Sequence, residues 1–253
     1  IYMLATQILA GQGGWPNSVF LTPDLKPFFA GTYFPPEDKW GRPGFPTVLE
    51  SMVHAWRERR ADVETQAADL AEGIRRHLAE VEPHAGELPG AALARTAIDG
   101  LRQRFDATWG GFGEAPKFPT PSNLWLLSAF AGERADAAMM LEATLDGMAR
   151  GGLRDHLGGG FHRYSTDREW RVPHFEKMLY DNGLLLEAFA REHARTGDPE
   201  AGRAAAATAE FLAREMTAPE GAFWSAIDAE TAGREGAFYV WTRQEIDAEL
   251  GVE

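Results

Sequence analysis

The stretch GGLRDHLGGGFHRYSTDREWRVPHFEKMLYDN, residues 151–182, joins two segments whose hydrophobic pattern is helical. It contains three histidines, four arginines and a run of three consecutive glycines. Connections this long and this rich in polar side chains are usually functional rather than simple spacers. We therefore expect the functional site of the chain to lie in this stretch.

Hydrophobic periodicity predicts helices on both sides of it. Leu141, Leu145 and Met148 share one face of the preceding helix, which ends at Gly151. The following helix is expected to begin at Pro173 and to run from His174 to about Arg195. The same reasoning predicts helices at 93–105, 121–130 and 198–216, short strands or extended arms at 222–227 and 237–241, and a last helix with a capping box of Thr242 and Glu245.

The first part of the chain has a different pattern. Residues 1–10 have the pattern of the end of a helix, and the apolar runs 18–21 and 28–30 flank a turn, which predicts a β-hairpin. Helical periodicity returns from Pro46 to Leu78. Residues 81–90 contain two prolines and two glycines without periodicity, so we predict a linker between domains 1–80 and 91–253.

Helices joined by alternating short and long connections predict a mainly α fold of stacked antiparallel hairpins, either a bundle or an α/α toroid. The formal charge of −13 argues against a nucleic-acid partner. No apolar run approaches the ~20 residues of a membrane span. With no cysteine, these 253 residues carry no disulfide and no thiol nucleophile.

The predicted helix after Pro173 places His174 and Asp181 on one face with Lys177, whereas Glu176 points away. Because the first-turn amides disfavour an imidazolium, His174 is expected to be neutral and suited to a base role. The alternative is structural, with Glu176 capping the helix and His174 packing against the loop.

A second group of polar residues flanks the three glycines: Asp155 and His156 before them, and His162, Arg163 and Tyr164 after them. Glycines allow close approach of backbone to a ligand, so these side chains can hydrogen-bond a hydroxylated substrate. A tight crossover in which Asp155 caps amides is the equally favoured alternative. The histidine spacing does not match a zinc helix, and the glycine run lacks a Walker or dinucleotide pattern, so we predict no metal and no cofactor.

Aromatic residues beside charged ones form two further groups, Trp109 to Phe118 with Lys117, and Trp224 with Asp228 and Glu230. Aromatic faces beside carboxylates are typical of sugar sites, although aromatics that close one end of a toroid are common too. Acid and nucleophile roles among Asp228, Glu230 and Glu235 stay unassigned.

Long motifs give the chain a family resemblance. In order they are GGWP, TYFPP, GGFGEAPKFP, DHLGGGFHRYSTD, VPHFEKMLYDN, Asp228-Ala229-Glu230, and Glu235-Gly236 before FYVW. Together they resemble the thioredoxin-domain-containing proteins related to spermatogenesis-associated protein 20. The resemblance implies a thioredoxin-like domain, whose C-terminal part would be 1–80, followed by a six-hairpin α/α toroid like those of glycosidases and N-acylglucosamine 2-epimerases, of which 91–253 would be the first part.

The resemblance leads to two further expectations, and the chain departs from the family pattern at two points. It implies a cis peptide bond between Trp15 and Pro16. The C-x-x-C segment of the family would lie before Ile1, so we interpret the chain as a fragment. Where the family usually has a second aspartate after Asp228-Ala229, this chain has Glu230.

These observations predict a carbohydrate-active or carbohydrate-binding toroid, with epimerase-like proton abstraction as the specific chemistry. The predicted catalytic residues are His174, Asp155, His156, Asp181 and Asp228, and the predicted substrate-binding residues are His162, Arg163, Tyr164, Glu176, Lys117, Trp224 and Glu230. The expected partner is a carbohydrate, with neither nucleic acid nor membrane, and the expected location is cytoplasmic. The alternative is a thioredoxin-type redox or protein-handling factor whose toroid is a docking module.

Overall fold

The computed structural model describes residues 1–39, 41–79 and 90–251. The chain divides into two compact units, an N-terminal unit Ile1–Gly86 and a C-terminal unit Glu87–Glu253. The predicted linker, residues 81–90, lies outside the described residues except for Gly90. Among the helices described, none has the length and apolar character needed to cross a membrane.

The N-terminal unit contains one hairpin and three helices among its described residues. Its elements are α1 Tyr2–Ala10, β1 Ser18–Leu21, β2 Pro27–Gly31, α2 Phe45–Glu58 and α3 Arg60–Ala79. The strands pair antiparallel with Ser18 opposite Gly31, which confirms the predicted hairpin. The bond between Trp15 and Pro16 is cis, as expected.

The C-terminal unit is mainly helical, as predicted. Its helices are α4 Ala91–Arg104, α5 Pro121–Phe130, α6 Ala135–Arg150, α7 Leu179–Thr196, α8 Pro199–Glu215 and α9 Arg243–Leu250. Connections at 131–134 and 197–198 join α5 to α6 and α7 to α8, and each pair packs together as a helical hairpin. Their apolar faces form one core that includes Leu124, Leu127, Met140, Leu145, Met148, Leu185 and Phe189.

Several helix ends follow the predicted signals. Asp198 caps α8 by accepting hydrogen bonds from the amides of Glu200 and Ala201 at 3.0 and 3.3 Å. Gly197 ends α7 at a φ of +74°, where a residue without a Cβ is favoured. The capping box of Thr242 and Glu245 begins α9. These ends are local devices, which is why the sequence reveals them.

The prediction that a helix begins at Pro173 is wrong for residues 173–178. Pro173–His174 forms strand β4 and pairs with β3, Tyr164–Ser165. Lys177–Met178 forms β5 and pairs with β6, Ala226–Ile227. Pairing with residues distant in sequence holds this segment extended, so α7 begins only at Leu179. His174 and Asp181 therefore do not share a helical face.

A second correction concerns residues 237–241, which form no strand: 237–239 lie in a turn, and 240–241 have no regular secondary structure. The local hairpin is β7 Glu230–Thr231 with β8 Arg234–Glu235. The amide of Gly236 donates to the carbonyl of Ala229 at 2.9 Å, which closes the hairpin and directs the chain into the turn.

Candidate functional site

The C-terminal unit contains the same buried loop twice. In the first copy, Asp106 accepts hydrogen bonds through Oδ1 from the amides of Thr108 and Trp109. The Lys117 ammonium donates to Asp106 Oδ2 and to the carbonyl of Gly110, both at 2.8 Å. We call this set of Asp106, Gly110 and Lys117 the first lysine clamp.

The second copy has the same bonds. Asp155 Oδ1 accepts from the amides of Leu157 and Gly158, and Lys177 donates to Asp155 Oδ2 at 2.7 Å and to the carbonyl of Gly159 at 2.8 Å. We call Asp155, Gly159 and Lys177 the second lysine clamp. In both loops the pattern is Asp, three residues, Gly, Gly and Phe.

The second glycine of each pattern has no room for a side chain. Gly111 and Gly160 have φ values of +78° and +75°. A Cβ at Gly111 would clash with the ring of Trp170, and one at Gly160 would clash with the ring of Phe211. The repeated glycine is therefore required by backbone conformation and by close packing.

The first lysine clamp is closed. Arg168 donates to both oxygens of Asp106 at 2.7 and 3.0 Å, and the Lys117 ammonium lies 5.2 Å from the centre of the Trp170 ring. Arg168 first, and then Lys117 and the loop amides, hold the pKa of Asp106 below its usual range against the effect of burial. Lys117 is completely buried, so the structure corrects its predicted substrate contact: this lysine is part of the framework.

The second lysine clamp lies beside a cavity of about 270 Å³. Asp155 and Asp228, which were predicted to share a site, both line it, together with Lys177, Phe211, Phe238 and Tyr239. Burial lowers the pKa of Lys177, an effect that Asp155 partly offsets. Burial acts to raise the pKa of Asp155, but the Lys177 hydrogen bond and the loop amides outweigh it and the pKa is lowered.

A polar cluster, defined by Arg163, Tyr164, His174, Glu176, Asp181 and Glu235, forms the second assembly of predicted residues. Strands β3 and β4 place the rings of Tyr164 and His174 in a stack with centroids 4.9 Å apart. Arg163 donates to Glu176 Oε2 at 2.8 Å. Tyr164 also contacts the half-exposed ring of Phe118, at 4.7 Å between centroids.

Glu235 of the β7–β8 hairpin orients His174. The distance from His174 Nδ1 to Glu235 Oε1 is 2.6 Å. A carboxylate accepts from Nδ1–H, so the neutral imidazole of this pair carries its lone pair on Nε2. Nε2 lies 3.7 Å from Glu176 Oε2, beyond hydrogen-bond distance. His174 thus presents Nε2 as a proton acceptor, although it does so from a strand.

Asp181 lies in the first turn of α7 and is buried, and the charges of Arg163 and Glu176 of the polar cluster act on its carboxyl group. Its Oδ2 has no hydrogen-bond partner among the residues that the structure describes. Burial raises the pKa of Asp181 to about 6, with Arg163 opposing and Glu176 adding to the effect. Its carboxyl group can therefore exchange a proton near neutral pH.

His162 contacts the cavity lining. Its Nδ1 lies 3.1 Å from the carbonyl of Phe175, and its ring meets Tyr239 edge-on at 4.8 Å. Burial, and then the charge of Lys177, lower the pKa of His162 to about 4, so the imidazole is neutral at pH 7. Buried beneath these rings, His162 supports the site instead of binding a substrate at its surface.

Three predicted residues place their side chains outside both assemblies. His156 is exposed, and its Nε2 is 3.0 Å from the carbonyl of Gly151. Trp224 and Glu230 are exposed as well and do not line the cavity, although the backbone of Glu230 pairs with Glu235 and its amide donates to Asp228. The structure therefore does not bring His156 together with the other predicted catalytic residues.

Sequence reasoning missed Glu235 as the partner of His174, Tyr239 as part of the cavity and Arg168 as the cover of the first lysine clamp. The repeated pattern of Asp, Gly, Gly and Phe was a readable signal for the two clamps. It would also have favoured the structural alternative for Asp155, which does cap two amides.

The family model Thioredox_DsbH, described as "Protein of unknown function, DUF255", matches residues 1–75. Spermatogenesis-associated protein 20 of Homo sapiens is 40% identical over 262 residues, which cover 97% of this chain and 33% of that protein. The protein of the same name from Rattus norvegicus is 38% identical over the same shares. The chain spans about a third of the length of these curated relatives.

Among solved structures, a sugar epimerase from a ruminal bacterium is similar with a TM-score of 0.48 and 18% identity, covering 54% of this chain and 40% of that one. Cellobiose 2-epimerase from Bacillus thermoamylovorans has a TM-score of 0.48 and 15% identity, covering 55% and 40%. The relatives confirm the predicted family, and with the helical hairpins they confirm the predicted fold class.

Proposed function

The chain belongs to the family of thioredoxin-domain-containing proteins related to spermatogenesis-associated protein 20, and from that premise we propose that its polar cluster binds a carbohydrate and transfers a proton to and from it. The observation that carries the proposal is the hydrogen-bonded pair of His174 and Glu235 at 2.6 Å, in a cluster that also holds the buried Asp181. An imidazole oriented by a carboxylate, together with a carboxyl group whose pKa is raised by burial, is typical of an acid–base site.

The surroundings of His174 suit a sugar. The stacked rings of Tyr164 and His174 and the exposed edge of Phe118 offer flat apolar faces to the C–H groups of a pyranose. Arg163 donates and Glu176 accepts, so the two side chains provide complementary partners for sugar hydroxyl groups. The site thus combines an apolar platform with polar groups that fix orientation.

The chemistry that we propose is epimerase-like. His174 Nε2 takes the proton from the carbon next to a sugar carbonyl, while Glu235 stabilises the imidazolium that forms. Asp181, whose pKa is raised to about 6, supplies a proton to the opposite side or to the carbonyl oxygen. Together these groups provide a base and an acid for removing and returning one proton.

The test is a panel of reducing mono- and disaccharides, incubated with the full-length protein in ²H₂O and followed by NMR for epimer formation and deuterium uptake. His174→Gln should lower turnover by roughly 10²- to 10⁴-fold, the usual contribution of a general base. His156→Gln is the matched control, because His156 is exposed and lies outside the polar cluster. Turnover unchanged by His174→Gln would remove His174 from the mechanism, and sugar binding without turnover would reduce the site to a binding module.

The redox alternative has one observation in its favour, the match of the thioredoxin-type family model to residues 1–75. Because the chain contains no cysteine, these residues cannot themselves exchange thiols and disulfides. Disulfide reduction by the full-length protein, retained in His174→Gln, would favour this alternative. The cytoplasmic location also stays a prediction.

A further inference from the structure

The cavity beside the second lysine clamp lies outside the polar cluster, and the first lysine clamp provides a comparison for it. In the first clamp, the Arg168 guanidinium donates to both oxygens of Asp106 at the same time as Lys117 and two amides. This arrangement shows that a clamp aspartate accommodates a guanidinium in addition to its lysine.

In the second clamp, the strand that pairs with the lysine is followed by acids instead of an arginine. Ser165 pairs with Lys117, and Arg168 follows three residues later. Ile227 pairs with Lys177 in the same way; Glu230 follows three residues later and lies outside the cavity lining, whereas Asp228, which follows directly, lines the cavity and accepts a hydrogen bond from the amide of Glu230 at 2.9 Å. Among the residues described, the ion-pair partner of Asp155 is Lys177, and its side chain remains 13% exposed, compared with 2% for Asp106.

The other walls favour a planar cation. The exposed ring of Phe238 lines the cavity, and such a face attracts a guanidinium by stacking and by cation–π interaction. Tyr239 also lines the cavity, with its ring stacked on Phe175 and 5.1 Å from the Lys177 ammonium. Glu215 contributes a third carboxylate to the walls. Arg214, also in the lining, is engaged by Glu215 at 2.8 Å and by the carbonyl of Gly158.

We propose that this cavity binds a guanidinium-bearing ligand, which is held by Asp155 and Asp228 and stacked against Phe238. The cavity of about 270 Å³ is slightly smaller than the usual range for drug-sized ligands, and it suits a guanidinium with its alkyl stem. The site is separate from the polar cluster, so the proposal does not depend on the proposed function.

The test measures binding of L-arginine and L-citrulline to the full-length protein by isothermal titration calorimetry at low and high salt. Citrulline has the same shape but a neutral ureido group, so it isolates the charge. We expect saturable arginine binding that weakens with salt, and citrulline binding at least about tenfold weaker. Equal binding of the two compounds, or no saturable binding of any guanidinium probe, would overturn the proposal.

Variants locate the binding. Asp228→Asn should weaken arginine binding about tenfold, because one charge-assisted hydrogen bond is lost. Glu230→Gln, a neighbouring exposed carboxylate outside the lining, should leave it unchanged. Far-UV circular dichroism checks that both variants fold. If Asp228→Asn binds arginine like the unmodified protein, the cavity is not the site.

A blocked Gly-Arg-Gly peptide is the second probe. Binding of the peptide but not of free arginine would support an arginine side chain of a protein as the source of the guanidinium.

Discussion

The two lysine clamps have the same bonds but different surroundings. In both, a lysine joins an aspartate to a glycine carbonyl across a Gly-Gly turn. The first is covered by Trp170 and by Arg168, whereas the second faces a cavity whose lining includes Tyr239, which contacts His162. The comparison teaches that a repeated structural motif becomes a candidate site where its cover is incomplete.

The difference between the two lysine clamps also explains which predicted residues are functional candidates. Lys117 and Asp155 are framework residues by their bonds, yet Asp155 stands at a cavity and Lys117 does not. The side chains that remain available around the second lysine clamp come from later segments, such as Asp228 and Phe238. Framework and site are therefore built from different parts of the chain.

The largest expected effect is on the free energy of unfolding, which should fall more when the aspartate of the first lysine clamp is replaced than when that of the second is replaced. Asp106→Asn leaves the fully buried Lys117 charge without its carboxylate, which typically costs about 3–5 kcal/mol of unfolding free energy. Asp155→Asn should cost less, about 1–3 kcal/mol, because the second clamp adjoins a cavity that admits water. Urea denaturation of the two matched variants measures both. Equal losses would contradict the distinction between a closed and an open clamp.

A smaller effect on the free energy of unfolding is expected from replacing Asp181 of the polar cluster. The folded pKa of about 6 lies above the unfolded value near 3.8, so the folded state binds the proton more tightly. Its contribution to stability is present below pH 3.8 and is lost as the pH rises through 6. Asp181→Asn should therefore stabilise the protein at pH 7 by on the order of 1–3 kcal/mol.

Denaturation of the Asp181→Asn variant at pH 4 and pH 7 is the measurement, and the gain should disappear at pH 4. A gain that persists at pH 4 would assign the effect to packing instead of ionisation.

Asp106 should show the opposite pH dependence of stability, because Arg168 and Lys117 hold it ionised. Its carboxylate stabilises the fold at neutral pH and loses this contribution on strong acidification.

The smallest expected effect is a change in the pKa of His162 when the charge of Lys177, in the second lysine clamp, is removed. The charge of Lys177 contributes to the lowered pKa of His162, after burial. Lys177→Met should raise the pKa of His162 from about 4 by up to about one unit, with the remaining shift due to burial. NMR titration of the imidazole measures this. Lys117→Met provides the control, since Lys117 is not among the groups that shift His162, and an equal response to both variants would argue for a general loosening.

Local signals in the sequence predicted much of the fold. The capping groups Asp198 and Thr242, the glycine at 197 and the hairpin at 18–31 act within a few residues, and each is confirmed. The length and polar composition of the stretch 151–182 pointed to it as the candidate site, and five of the six residues of the polar cluster lie in it. For the site itself, the sequence supplied the residue types and left their pairing open.

The sequence by itself determined the mainly helical composition, the family and the acidic charge, because these depend on periodicity, short motifs and residue counts. Only the tertiary structure decided that Pro173–His174 is a strand, that Glu235 orients His174, and that Asp155 faces a cavity while Asp106 is sealed. Bonds that decide these features join residues far apart in the chain, such as His174 with Glu235, 61 positions apart, and Arg168 with Asp106, 62 positions apart, and local propensity carries no information about such partners.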